Sequence, residues 1–263
     1  MSFIAEQFKL FFVALQFFTR VPLTQDLTQW MDWNPDKLRA SSRYFPLVGF
    51  ALGLFAAMAF GLANVVFGAW LAAIITLTLT ALATGAFHED GFTDYWDAMG
   101  GGTNREKALA IMKDSRIGAY GVLAIVLLTA AKIAALAEMR VDIALLALVA
   151  AHTVGRAASC AVLYALPYVR EDDSAKSKPL AQSMTKNELM VALAIGAAPL
   201  LLTLISYRDL IAQVLLAALA VALVTWLMAR HMQRRIGGFT GDALGAVEQS
   251  AEVAVLLAFA VSI

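Results

Sequence analysis

Residues 44–97 read YFPLVGFALGLFAAMAFGLANVVFGAWLAAIITLTLTALATGAFHEDGFTDYWD. The first 44 of them, residues 44–87, contain no Asp, Glu, Lys or Arg. A helix needs about 20 apolar residues to cross a bilayer, so this run is long enough to cross twice. Four carboxylates then follow within residues 89–97. On a helix, Asp94 and Asp97 lie four and seven positions after Asp90, so the three project within roughly a 60° arc of one face. Carboxylates so crowded repel one another unless a cation lies between them, and a hard cation such as Mg²⁺ takes oxygen ligands and brings diphosphate groups with it. The stretch therefore predicts a metal–diphosphate site at a membrane surface, with Asp90, Asp94 and Asp97 as metal ligands. The alternative is a solvated acidic first turn, favoured by the helix dipole.

Composition agrees with a membrane protein. The chain has 263 residues, 60% hydrophobic and 15% charged, where soluble domains average about 25% charged. Its mean hydropathy is +0.72. These values predict an all-α, polytopic transmembrane helix bundle forming one domain over residues 1–263. Net charge is zero, so no polybasic attraction to nucleic acid is expected. The single cysteine, Cys160, excludes an internal disulfide or a cysteine-based zinc site. No secretory signal is evident.

About seven spans are expected. They are Pro46 to Ala63, Ala69 to Phe87, Ile117 to Leu136, Ile143 to Leu166, Glu188 to Tyr207, Leu210 to Met228 and Ala246 to Ile263. A hairpin is expected at Asn64 to Gly68, and a break at Gly100 to Asn104. Pro167 to Asn187 reads as a polar loop. The aromatic stretch before Arg20 reads as an interfacial helix, a true first span being the alternative. Lys132, near the end of its span, is expected to snorkel. Glu248 and Glu252 are expected at the interface. His152 and Arg156 fall on one face inside a span, either as a functional site or as a buried pair locking two helices.

Sixteen of the twenty Lys and Arg residues fall on the side that holds the N-terminus. The positive-inside rule makes that side cytoplasmic. It also carries Asp90 and the second notable motif, GGFTGDALG over residues 237–245. Backbone N–H groups of such a turn approach phosphate closely, and a helix N-terminus favours anions. Gly238, Thr240, Gly241 and Asp242 are therefore candidate substrate-binding residues, with simple helix capping by Thr240 or Asp242 as the alternative. Lys113 and Arg116 supply positive charge for phosphate oxygens; Arg116 could instead snorkel at the base of its span. The fitting reaction is attack by an alcohol on a phosphoanhydride, with Asp90, Asp94 or His88 taking the proton. His88 reads equally well as a structural hydrogen-bonder.

HEDGFTDYWD, EKALAIMKDSRIGAYGVLA and GGFTGDALGAVEQSAE, with FFTRVP and RYFPLVGFALG ahead of them, resemble the membrane-embedded cobalamin synthases, the adenosylcobinamide-GDP ribazoletransferases. The similarity runs in order from about Phe17 to Glu252. It implies that adenosylcobinamide-GDP reacts with α-ribazole or its 5′-phosphate, releasing GMP, with Mg²⁺ required. It also implies a place in a bacterial cytoplasmic (inner) membrane with a cytoplasmic active site, and a homo-oligomer is compatible with it. Carried over by position, Asp90, Asp94 and Asp97 are the metal-site acids. Lys113, Asp114 and Arg116 belong to the active face, as does Asp242. Two departures stand out: Glu89 occupies a position where an aliphatic residue is expected, and the loop REDDSAKSKPLAQ lacks a Gly-rich character. The CDP-alcohol phosphatidyltransferases and aromatic prenyltransferases are rivals whose paired Asp motifs differ in order. A proton- or cation-coupled transporter should keep its acids near the midplane and show repeated halves.

Overall fold

The computed structural model describes residues 3–114, 116–169 and 184–262. Most of the polar loop expected over Pro167 to Asn187, Arg170, Lys176 and Lys178 included, lies outside these residues, as does Ser115. The described residues form twelve α-helices in order: α1 Phe3–Phe18, α2 Gln25–Met31, α3 Pro35–Ser41, α4 Phe45–Phe67, α5 Ala69–Thr84, α6 Phe87–Gly101, α7 Arg105–Lys113, α8 Ala119–Glu138, α9 Val141–Ala165, α10 Lys186–Ser206, α11 Ile211–Arg235 and α12 Gly241–Ala260. Among them there is no strand; Tyr168 and Phe239 make one isolated bridge.

Six helical segments are long and apolar enough to cross a membrane, and a seventh is obtained if α5 and α6 count as one bent span. α5 has only 16 residues, about 24 Å of helix. It stops at Thr84 rather than Phe87 because Gly85 and Ala86 are both left-handed, at φ +71° and +55°. The chain consequently turns by 93° into α6. Elsewhere the expected spans are present with shifted ends: α4 runs unbroken from Phe45 to Phe67, and α12 starts at Gly241, five residues before the expected Ala246. The expected hairpin at Asn64 to Gly68 reduces to Gly68, whose φ is +76°. α6 continues through Gly101, so the break falls at Gly102 to Asn104. α1 has 16 residues and is not among the segments long enough to cross.

The bundle is organised around α9 and α12. Their most apolar windows are 72% buried inside the protein, against 28–33% for the other crossing helices. Small residues bring these two helices against their neighbours, which is how helices associate where lipid removes the hydrophobic incentive. A Cβ on Gly53 of α4 would lie 2.7 Å from Val149 Cα of α9, and one on Gly155 of α9 would lie 3.0 Å from the Glu248 carbonyl oxygen of α12.

α6 lies across one end of this bundle. It meets the first turns of α12 through His88 and Gly91, the start of α8 through Asp97, and the end of α11 through Tyr95, whose hydroxyl is 3.1 Å from His231 Nδ1. Two arginines tie the neighbouring loops together by accepting the load of open helix ends. Arg235 donates to the Gly102 and Met99 carbonyls at 2.6 and 3.3 Å, and Arg105 donates to the Ile236 carbonyl at 2.9 Å. Cations at helix C-termini satisfy carbonyls that have no intrahelical donor.

Candidate active site

The acid-bearing helix and the second Gly-rich motif meet directly. Gly91 sits on the backbone of Asp242, and Gly245 on the backbone of His88, where a Cβ would be 3.1 Å from the His88 carbonyl oxygen. The HEDG and GDALG segments therefore cross with no side chain between them at either contact. Thr240, the N-cap of α12, accepts from the Ala243 N–H at 3.1 Å and donates to Met112 Sδ at 3.5 Å. That contact brings the end of α7, and Lys113 with it, to the same place. Three segments distant in sequence thus converge at the end of the bundle that α6 covers.

Asp90, Asp94 and Asp97 share one face of α6, and that face closes progressively. Asp90 is exposed, Asp94 half-buried and Asp97 buried. Asp97 has a different task from the other two. One carboxylate oxygen accepts from the Gly118 N–H and the other from the Gly121 N–H at 3.1 Å. It thereby caps α8 from another helix, satisfying donors that the start of a helix leaves open. Among the described residues no group of three His, Cys, Asp or Glu side chains is arranged to hold a metal, so the expected three-aspartate cluster is not assembled here.

The Gly-rich turn is shaped by packing as well. Gly237 is left-handed, at φ +84°. The Phe239 N–H donates to the Pro167 carbonyl at 2.9 Å, and the Val169 N–H to the Phe239 carbonyl at 3.0 Å. Gly238 lies inside this pairing, where a Cβ would collide with the Pro167 carbonyl. Gly241 opens α12 beside His88 and Arg156.

Asp114 and Arg116 form an exposed fork, with Arg116 Nε 3.0 Å from both carboxylate oxygens. The Arg116 side chain, helped by its own backbone N–H, holds the Asp114 carboxyl down to about 2, and the carboxylate in turn raises the guanidinium. Lys113 ends α7 next to them.

His88 is buried, 3% exposed. Its Nε2 lies 2.6 Å from Glu248, and its ring stacks on Phe18 with centroids 5.2 Å apart. It belongs to a network inside the bundle whose extent sequence reasoning missed. Arg156 reaches Glu248 at 2.8 Å and Glu252 at 3.5 Å. His152 reaches Glu252 at 2.7 Å. Lys132 lies 2.6 Å from both Glu252 and Gln249. Lys132 is therefore buried and paired rather than snorkelling, and Glu248 and Glu252, 1% and 3% exposed, lie within the bundle rather than at the interface. Arg156 takes the pairing alternative, locking α9 to α12. The signal was present: opposite charges at i, i+4 in two separate apolar runs, each costly to bury alone.

The family model of CobS, cobalamin-5-phosphate synthase, matches residues 10–260. A Shewanella frigidimarina protein named adenosylcobinamide-GDP ribazoletransferase is 41% identical over 254 residues, 95% of this chain and 94% of that protein. Proteins of the same name from Vibrio parahaemolyticus and Polaromonas sp. are 39% and 37% identical, covering 95% and 96% of this chain and 91% and 96% of their own lengths. No solved structure matches the chain. The convergence of HEDGFTD, the end of α7 and GGFTGD at one end of a helical bundle thus accompanies a match over nearly the whole chain, and the chain belongs to the cobalamin-5-phosphate synthase family.

Proposed function

We propose that this enzyme transfers the cobinamide-phosphoryl group of adenosylcobinamide-GDP to α-ribazole or α-ribazole 5′-phosphate, releasing GMP and forming adenosylcobalamin or its 5′-phosphate. The observation that carries this reading is the crossing of α6 and α12 at Gly91 and Asp242. It brings the helix that carries Asp90 and Asp94 against the first turn of α12 at Asp242, and the Thr240–Met112 contact brings the end of α7 to that turn.

The reaction forms one bond and breaks one. A hydroxyl oxygen of the ribazole attacks the phosphorus attached to cobinamide. The phosphoanhydride bond to GMP breaks, GMP leaves with the bonding pair, and the hydroxyl proton goes to a base. A carboxylate of the Asp90–Asp94 pair suits that role. His88 suits it less, because Glu248 already holds its Nε2.

The donor set fits Mg²⁺ in its usual mode, in which one or two carboxylates bind the ion and substrate phosphates and waters complete the shell. Asp90 and Asp94 would hold it, and Asp97 would remain the cap of α8. Bound there, the ion would neutralise phosphate oxygens and the developing charge on the leaving group. Lys113 and Arg116 add fixed positive charge on the same face, Arg116 by exchanging its fork on Asp114 for phosphate oxygens.

The site is proposed to face the cytoplasm of a bacterial inner membrane. Thr103, in the loop after α6, and Gln233, in the last turns of α11, lie at ends that the Arg235 and Arg105 contacts hold together. Cysteines at these two exposed positions, in a Cys160→Ala background, should both label from the cytoplasmic side only. The activity itself is tested by GMP release from the purified protein given Mg²⁺ and both substrates.

A further inference from the structure

Below the first turn of α6, between α5 and α8, lies a cleft of about 260 Å³. Its walls are apolar: Leu77 from α5, and Ile125 and Leu128 from α8. Its floor is charged and polar: Glu89, Lys132, Gln249 and Glu252. Its mouth is at the lipid-facing surface, where Ile74 is 44% exposed and Thr78 is exposed. Glu89 contributes one oxygen to Gln249 Nε2 at 3.5 Å, while its buried Oε2 has no hydrogen-bond partner.

This combination restricts the occupant. A lipid tail would lay hydrocarbon on the carboxylates and the ammonium of the floor, and a buried polar group left without a partner costs on the order of 1–3 kcal/mol. Water alone would satisfy the floor but would face apolar walls on either side. A molecule that is apolar and flat at one end and rich in hydroxyls at the other satisfies both. The volume lies just below the range of about 300–1,000 Å³ typical of small-molecule pockets, so it suits one fused-ring nucleoside and is far too small for a corrinoid.

We infer that this cleft is the acceptor subsite, taking a nucleoside whose base is an uncharged apolar heterocycle. The heterocycle lies between Leu77, Ile125 and Leu128. The ribose hydroxyls meet Lys132, Gln249 and the open oxygen of Glu89. The inference rests on the proposed transfer to α-ribazole. It gives Glu89, the acid that the family pattern does not call for, a task of its own: it holds the acceptor one residue away from Asp90. The mouth, on the side of the bilayer, lets the amphipathic acceptor enter along the membrane boundary while the large donor approaches from the aqueous face.

The test uses the full chain in lipid nanodiscs. α-Ribazole is titrated calorimetrically, and KM is measured for each substrate. Thr78→Trp, at an exposed position, closes the mouth without entering the helix packing. Leu127→Trp, on α8 at a residue 60% exposed that does not line the cleft, is the control. Thr78→Trp should weaken α-ribazole binding and raise its KM at least tenfold, with KM for adenosylcobinamide-GDP within twofold of the parent, and Leu127→Trp should change neither. Glu89→Leu should weaken binding in the same direction. Unchanged α-ribazole binding in Thr78→Trp, as expected of a cleft holding only lipid or water, overturns the inference while leaving the reaction standing. Binding sensitive to Thr78→Trp in a parent that releases no GMP overturns the reaction and leaves the subsite. Absence of α-ribazole binding to the parent overturns the subsite outright.

Discussion

Gly91 meets Asp242 backbone to backbone: a Cβ on Gly91 would lie 2.9 Å from Asp242 Cα and 3.0 Å from its carbonyl oxygen. Neither of these atoms is the end of a flexible side chain, so α6 and α12 must move apart to admit even a methyl group. Gly91→Ala should therefore separate the two acidic segments and lower turnover at least about tenfold, roughly 1.4 kcal/mol in the transition state. Gly61→Ala is the matched control, because its Cβ would meet only Leu145 Cδ2, at 3.6 Å. A Gly91→Ala enzyme as active as Gly61→Ala would show that the crossing does not set the site.

Asp97 caps α8, and its loss should be felt as stability. Asp97→Ala should cost about 0.5–2 kcal/mol, the usual range for a lost helix cap, and should leave the Mg²⁺ concentration for half-maximal rate unchanged. Asp94→Asn should raise that concentration at least tenfold. If both variants shift the Mg²⁺ requirement equally, Asp97 is a ligand of the ion and the capping account is wrong.

The network around Arg156 predicts a large structural effect away from the reacting groups. Arg156→Met leaves Glu248 and Glu252 buried without their shared cation. Breaking a buried pair in this way costs about 3–5 kcal/mol, which corresponds to a fall in melting temperature of at least about 6 °C for a domain of this size. Thermal unfolding in detergent reads this directly, and a shift of under 2 °C would contradict the pairing.

Ala86 adopts φ +55° and ψ +28°, a left-handed conformation that disfavours any residue with a Cβ. Glycine removes that strain and gives back part of the gain through the greater freedom of its unfolded chain. Ala86→Gly should therefore raise stability by about 0.5–1 kcal/mol with the bend intact. A lowered melting temperature would mean that the bend depends on the Ala86 methyl group.

Asp114 gives the pH prediction. Its carboxyl is lowered from 3.8 to about 2, first by the Arg116 side chain and then by the Arg116 N–H. For a depressed carboxyl the pairing is complete above the ordinary value and lost only as pH falls through the lowered one. This pair should thus contribute no step to activity between about pH 5 and 9. Site-specific labelling of Asp114 should give a titration midpoint near 2 that returns toward 3.8 in Arg116→Met. A midpoint already at 3.8 in the parent would show that the fork does not form in solution.

The bundle was legible because charge-free runs long enough to cross a bilayer leave few other folds open. The joining of the two acidic motifs was legible from Lys and Arg asymmetry, which put both on one side. The 93° turn was not, since it depends on Ala86 adopting a left-handed conformation that the sequence does not announce. The task of Asp97 was not either: i, i+4, i+7 spacing states that three carboxylates share a face, and only the packing of α8 on that face shows that one of them is covered. Lys132 was misread for a similar reason. Its place near the end of an apolar run suits snorkelling, and its burial follows from Glu252 and Gln249 on a helix 120 residues later in the chain.

The most direct test of the account measures GMP released by the purified protein on mixing Mg²⁺, adenosylcobinamide-GDP and α-ribazole, for the parent chain and for Asp90→Asn. The account predicts GMP in step with the new phosphodiester for the parent, and a rate lower by about a thousandfold, roughly 4 kcal/mol, for a variant that still inserts and purifies normally. A variant within a few-fold of the parent would contradict the assignment of Asp90 to the reacting centre, and a parent that releases no GMP would contradict the reaction itself.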